Sequence, residues 1–148
     1  MKREIKFDIV LKHKKDNDII HEVFTYTEIF NGDAKLKVSY LNEDGYIVIA
    51  NRMFTGLQDK NGKDIFEGDI VVSTCNKMKP KKDETDLFET PEFELKTFHN
   101  VIDWFNGVRI SGWRIKGKGF QTQLKWSTVG NMNLEVIGNI YDNPELLK

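Results

Sequence analysis

Short stretches in which every second residue is apolar, separated by tight-turn residues, constrain this chain more than any other feature. Ile5, Phe7, Ile9 and Leu11 recur at the period of a half-buried strand, with Lys6, Asp8 and Lys12 among the residues between them. The polar residues 14–18 then predict a turn. Residues 19–31 carry two signals: Ile19, Val23, Tyr26 and Phe30 fit helical spacing, whereas residues 23–27 favour a strand. Together they predict an extended stretch ending in one helical turn, capped by Thr27 and leaving through Asn31-Gly32. Residues 35–40 and 46–50 predict a hairpin around Asn42-Glu43-Asp44-Gly45, because Asp-Gly tolerates the positive φ of hairpin turns. A second hairpin, residues 54–57 with 64–73, turns at Asn61-Gly62, and Glu67-Gly68-Asp69 predicts a bend before Ile70-Val71-Val72.

Residues 76–92 read as a flexible insert, basic in its first half, acidic in its second, and interrupted by Pro80 and Pro91. Strand signals resume at Phe93. Residues 101–105 and 108–110 predict a third hairpin around Asn106-Gly107, with Val108, Ile110 and Gly112 on one face and Arg109, Ser111, Trp113 and Ile115 on the other. A last strand covers residues 134–140, followed by a helical turn with Asn143 as cap and Pro144 in first position. Without repeats, heptads or a long amphipathic helix, many short strands predict a small barrel or sandwich.

The chain has 148 residues, enough for one compact domain or a small domain with an appended lobe. With 39% hydrophobic and 30% charged residues it is globular, and its net charge of −1 gives no overall attraction to nucleic acid or anionic membrane. Cys75 is the single cysteine, so no intramolecular disulfide is possible, which fits a reducing, cytoplasmic setting. The first residues lack the pattern of a signal peptide, and no apolar run reaches the length of a membrane helix.

Residues able to carry chemistry are scattered. His13, His21, His99 and Cys75 form no pair at metal-ligand spacing. Ser73, Ser111 and Ser127 lack a nucleophile-elbow context. Cys75 follows an apolar run and reads as a small buried hydrophobe. Glu67 and Asp69 could serve acid–base work or hold a cation, but turn carboxylates more often bind neighbouring backbone N–H groups. Gly117-Lys118-Gly119 lacks the rest of a phosphate-binding pattern.

One asymmetry points to a ligand. Between residues 95 and 130 stand Lys96, Arg109, Arg114, Lys116, Lys118 and Lys125, against Asp103 as the single acid. Trp104, Phe105, Trp113, Phe120 and Trp126 lie among them. Basic residues interleaved with aromatics suit single-stranded nucleic acid, though aromatics in a small β-domain also fill the core.

Two blocks give a family resemblance. Residues 54–71, built around Asp59-Lys60-Asn61-Gly62-Lys63-Asp64-Ile65-Phe66-Glu67-Gly68-Asp69, and residues 134–147, built around Ile137-Gly138-Asn139-Ile140-Tyr141-Asp142-Asn143-Pro144, resemble the YopX family of phage and prophage proteins. Arg3-Glu4-Ile5-Lys6-Phe7 and residues 101–107 are similar to the family's opening and central strand. The resemblance implies a mainly β fold with an SH3-like barrel formed largely by the second half, and a source in a phage or integrated element. It carries over no catalytic residues and no cofactor.

The expected organisation is a β-hairpin-rich lobe over residues 1–52 and an SH3-like barrel region over 53–148, with one or two short helical turns. The expected function is non-catalytic: binding an unknown protein partner or self-association, away from membranes. The alternative is single-stranded nucleic-acid binding through residues 104–126, with Arg109, Trp113, Arg114, Lys116, Lys118 and Lys125 as contacts. A deep pocket combining Glu67 or Asp69 with a histidine would instead point to an enzyme.

Overall fold

The computed structural model describes residues 4–78 and 92–148. The strands are β1 (Lys6–His13), β2 (Ile19–Thr25), β3 (Tyr46–Gln58), β4 (Asp64–Phe66), β5 (Asp69–Met78), β6 (Phe93–Asn106), β7 (Ser111–Gly117), β8 (Phe120–Gln123) and β9 (Glu135–Asn139). The helices are α1 (Tyr26–Phe30), α2 (Asp33–Glu43) and α3 (Trp126–Asn131), with a terminal 3-10 turn at Pro144–Leu147. The fold is mainly β, in two antiparallel sheets ordered β2-β1-β3-β4 and β8-β7-β6-β5-β9. Both sheets are open among the described residues, where no barrel closes. β3 runs through residues 52 and 53, so the two parts of the chain share a strand.

β1 forms as the alternation predicts, but its buried face is not Phe7 and Ile9. Those are half-buried, whereas Asp8, Val10 and Leu11 are buried. A register irregularity between Val10 and Leu11 turns two consecutive side chains inward. Asp8 goes inward because its charge has partners there.

The hairpin expected over residues 35–50 is a helix followed by a strand. Leu36, Val38 and Tyr40 alternate, but Ala34, Val38 and Leu41 also share the three-to-four spacing of a helix. Ala34 is buried and the other two are half-buried, while Leu36 and Tyr40 lie on the outer side. Asp44-Gly45 still turns the chain: Gly45, at φ +97°, follows the helix end and leads into β3. A Cβ there would lie 2.9 Å from His13 Nε2. Gly32, at φ +88°, makes the expected exit from α1. The cap of α1 is Thr25 rather than Thr27. Its hydroxyl accepts from the Glu28 N–H, and Glu28 Oε2 accepts from the Thr25 N–H at 2.8 Å, a reciprocal box.

The β3–β4 hairpin turns at Asn61-Gly62 as expected, and Asp59 locks it from inside. Asp59 Oδ1 accepts from the N–H groups of Asn61 and Lys63, and Oδ2 accepts from the Val136 N–H on β9 at 2.9 Å. Gly68, at φ +79°, makes the predicted bend into β5. The β6–β7 hairpin also forms, but Asn106 pairs with Ser111. Residues 107–110 are therefore turn, closed by the Gly107 N–H on Ile110 O, and Val108 and Ile110 project into solvent instead of lining a strand face. Pro144 starts the terminal turn, but the Asn143 side chain does not cap it. Gly138 leaves room for that side chain, since a Cβ would lie 2.4 Å from Asn143 Oδ1.

The main core collects Ile65, Val71, Ile102, Trp113, Ile115, Leu124, Val129, Leu134 and Val136, with the second sheet meeting β4, α3 and the segment leading into β9. The expected insert falls partly in strand, since β5 reaches Met78 and pairs it with Phe93. Its middle, residues 79–91, lies outside the described residues. Cys75 is exposed on β5, not buried, because it stands beyond the end of the core on the extended β5–β6 ribbon.

Candidate functional site

A cleft of about 520 Å³ is lined by residues of β1, β2, β3 and β4, and by β5 and the end of β9. Arg52, only 4% exposed, occupies its floor. Its Nε donates to Glu67 O at 2.7 Å, Nη1 donates to Asp8 Oδ2 at 2.8 Å, and Nη2 donates to Asp69 Oδ1. His21 stands between two aspartates, with Nδ1 2.8 Å from Asp8 Oδ2 and Nε2 2.8 Å from Asp142 Oδ2. Asn139 orders Asp142 by donating to the same Oδ2 at 2.7 Å. Burial pushes the Asp69 carboxyl above its ordinary range, against the opposing pull of Arg52 and the Phe66 N–H. Lys6, at the rim, is held above its usual value chiefly by its hydrogen bond to Asp64. Asp8 Oδ1 is buried without a hydrogen-bond partner among the described residues.

Asp69 and a histidine therefore do share a pocket, with Arg52 and Asp8 between them. The polar groups mostly satisfy one another. Both His21 ring nitrogens face carboxylate oxygens, so the ring offers no free nitrogen to a substrate. The arrangement ties β1, β2 and β3 to β5 and to the chain after β9. No group of three or more His, Cys, Asp or Glu side chains among the described residues is placed to hold a metal ion. His13 pairs with Asp16 at 3.1 Å, and His99 Nδ1 lies 2.7 Å from Leu146 O.

The basic, aromatic segment is divided by the fold. Arg109 sits in the β6–β7 turn, while Lys118 follows the opposite end of β7, about 23 Å away at the rise of an extended strand. Arg114 is engaged: Nε and Nη2 donate to Asp103 at 2.8 and 2.6 Å, and the guanidinium lies 4.9 Å from the Phe105 ring centroid. Lys116 is exposed on β7, and Lys125 precedes α3. Trp113 is 8% exposed and packs edge-on against Trp104 at 4.9 Å, so its ring offers no free stacking face. Trp104, Phe105, Phe120 and Trp126 remain exposed.

The surface least accounted for by packing is carried by α1 and α2. Tyr26, Ile29, Phe30, Leu36 and Tyr40 are all exposed, Phe30 to 77%, Tyr40 to 59% and Leu36 to 57%. The Tyr26 and Phe30 rings stack at 6.1 Å, and Leu36 and Tyr40 stand one helical turn apart on α2. The helices spend Ala34, Val38 and Leu41 on the sheet and leave their larger apolar side chains in water. This ridge was hidden in the sequence by the strand-like alternation of residues 35–40. The box Thr25-x-x-Glu28 and the stripe Ala34, Val38, Leu41 are the signals that reveal it. The Arg52 network had no local signal, because Asp8 is 44 residues and Asp69 is 17 residues from Arg52.

The crystal structure of protein EF1440 from Enterococcus faecalis is similar at 22% identity, covering 97% of this chain and 98% of that one, with a TM-score of 0.47. No curated protein matches. The family model described as YopX protein matches residues 5–148, nearly the whole chain. This protein therefore belongs to the YopX family.

Proposed function

We propose that this chain is a non-catalytic protein-binding module whose recognition surface is the α1–α2 ridge. The observation that carries the reading is the exposure of five large apolar side chains on two consecutive helices that bury little beyond Ala34. Contiguous exposed apolar surface marks contact sites, and aromatic side chains are the usual anchors of such contacts. The partner is a protein offering apolar anchors of its own. The family resemblance and the single cysteine support a phage or prophage product working in the bacterial cytoplasm. The second sheet is taken as an open relative of the SH3-like barrel that the resemblance implies.

The test is capture from host lysate with wild type and with the double variant Phe30→Ser/Leu36→Ser. Both sites are exposed, so stability should change by no more than about 0.5 kcal/mol each. A partner retained by wild type, lost by the variant and rebound as a purified protein supports the reading. Retention equal in the two proteins overturns it.

A second reading, single-stranded nucleic-acid binding, keeps the support of exposed Lys116, Lys118 and Phe120 around the β7–β8 turn and of exposed Lys125 beside Trp126. Arg114 and Trp113 contribute less than the sequence led us to expect, being paired with Asp103 and buried, respectively. Fluorescence anisotropy with labelled oligonucleotides decides the point. Salt-sensitive binding that weakens in Lys116→Gln/Lys118→Gln supports it, and absence of binding at low salt removes it.

A further inference from the structure

We infer that β6 is a self-association edge: two copies of this chain join antiparallel along residues 93–97, about a two-fold axis at Leu95. β6 is longer than its neighbour β7. The β6–β7 ladder starts at Val101, while the β5–β6 ladder continues to Phe93, so residues 93–97 are paired on one side only among the described residues.

The direction of the free backbone groups follows from the ladder. The Thr74 N–H donates to Met132 O, away from β6, which makes Thr74–Thr97 a non-hydrogen-bonded pair. Thr97 therefore turns its own N–H and C=O to the open side, and the two-residue period gives Leu95 and Phe93 the same orientation. The other ladder agrees. Trp113 O accepts from the Leu124 N–H away from β6, which places the odd-numbered residues of β6 on the β7 side. An antiparallel copy centred on Leu95 sets Leu95 opposite its own equivalent, and Phe93 opposite Thr97. Each is a pair that can exchange both backbone hydrogen bonds.

The side chains select the occupant. In this register Glu94 of one copy lies directly opposite Lys96 of the other, on both sides of the axis and in the closer, non-hydrogen-bonded positions. Within one chain these two groups form a loose ion pair at 3.6 Å, with the Lys96 and Glu94 side chains 41% and 54% exposed. On the opposite face, Leu95 (67% exposed) would be covered by its own equivalent, and Phe93 (56% exposed) would lie against Thr97 of the other copy. A strand whose charges complement their own reversed order is suited to a second copy of itself, and a two-fold contact closes without forming fibres. An open apolar edge is otherwise an aggregation liability. The inference is independent of the α1–α2 ridge.

The experiment is sedimentation equilibrium of the full chain over a concentration series, with Glu94→Lys, with Lys96→Glu, and with an equimolar mixture of the two. Wild type should dimerise. Each single variant sets like charges opposite each other at both positions and should weaken its own dimer about tenfold. The mixture should restore association, because one variant then carries two bases opposite two acids of the other. Circular dichroism matching wild type confirms that each variant is folded. Wild type that stays monomeric overturns the inference, as does a dimer unaffected by both reversals or a mixture no tighter than its components.

Discussion

Removing the Arg52 side chain should destabilise the protein far more than any surface change. Its guanidinium is the cation for two buried carboxylates and also binds a backbone carbonyl, and Asp8, Arg52 and Asp69 are each at least 94% buried. Arg52→Met fills much of the volume but takes the guanidinium from Asp69 and leaves Asp8 with His21 alone, in a medium that solvates charge poorly. Breaking a buried ion pair on one side costs about 3–5 kcal/mol. Domains are stable by only about 5–15 kcal/mol, so this is a large share of the total. At roughly 2–4 °C per kcal/mol for a chain of this size, the midpoint should fall by about 10 °C. Urea denaturation followed by tryptophan fluorescence gives the free energy directly. The triple variant Arg52→Met/Asp8→Asn/Asp69→Asn removes the stranded charges and should recover more than half of the loss. The deficit of Arg52→Met should also shrink on acidification, as the buried Asp69 carboxyl takes up a proton. A loss below about 1 kcal/mol, the range of an exposed pair, would refute the argument that these charges are desolvated.

Three further outcomes follow from the same geometry. Because the Asp69 carboxyl is raised above 3.8, the native state binds more protons than the unfolded state just above that pH; stability should fall as pH rises through this window and then level off. Asp69→Asn should remove that slope in denaturation curves taken at successive pH values. Thr25→Ala should cost about 1 kcal/mol and raise hydrogen exchange in α1. Backbone and hydroxyl hydrogen bonds from Thr25 lower the Glu28 pKa below 4.5, so the wild-type cap should weaken as pH falls through that lowered value. Asp59→Ala leaves the N–H groups of Asn61, Lys63 and Val136 without their acceptor and should cost about 1–3 kcal/mol for each donor that stays buried, read as a lower urea midpoint.

The legible parts of the fold were those with local causes. Asn61-Gly62 and Gly68 need positive φ, and glycine accepts it, so the hairpin and the bend were readable in place. Alternation located β1 and β9, but period alone could not give the inward face of β1. That face is fixed by Arg52 and His21, which draw Asp8 in. In residues 35–40 the two-residue period of Leu36, Val38 and Tyr40 coincides with a helical four-residue step from Leu36 to Tyr40. The buried Ala34, with half-buried Val38 and Leu41 on the same side, settles the matter in favour of helix. The basic residues between 109 and 125 looked like one stripe because sequence order does not show that Arg109 and Lys118 sit at opposite ends of β7. The charged cleft depends on pairings between distant residues, for which no spacing rule exists.

The contact between His21 and Asp142 joins residues 121 apart, and the Asp59–Val136 bond joins residues 77 apart. During synthesis the first sheet leaves the ribosome long before either partner exists. β1 to β4 can pair early, but Asp59 then holds an unused carboxylate oxygen, and His21 has Asp8 alone until the region beyond β9 emerges. Closing such long loops is entropically costly and slows folding. A chain stalled before residue 134 would lack both partners, Val136 for Asp59 and Asp142 for His21, and would leave the cleft without its β9 wall.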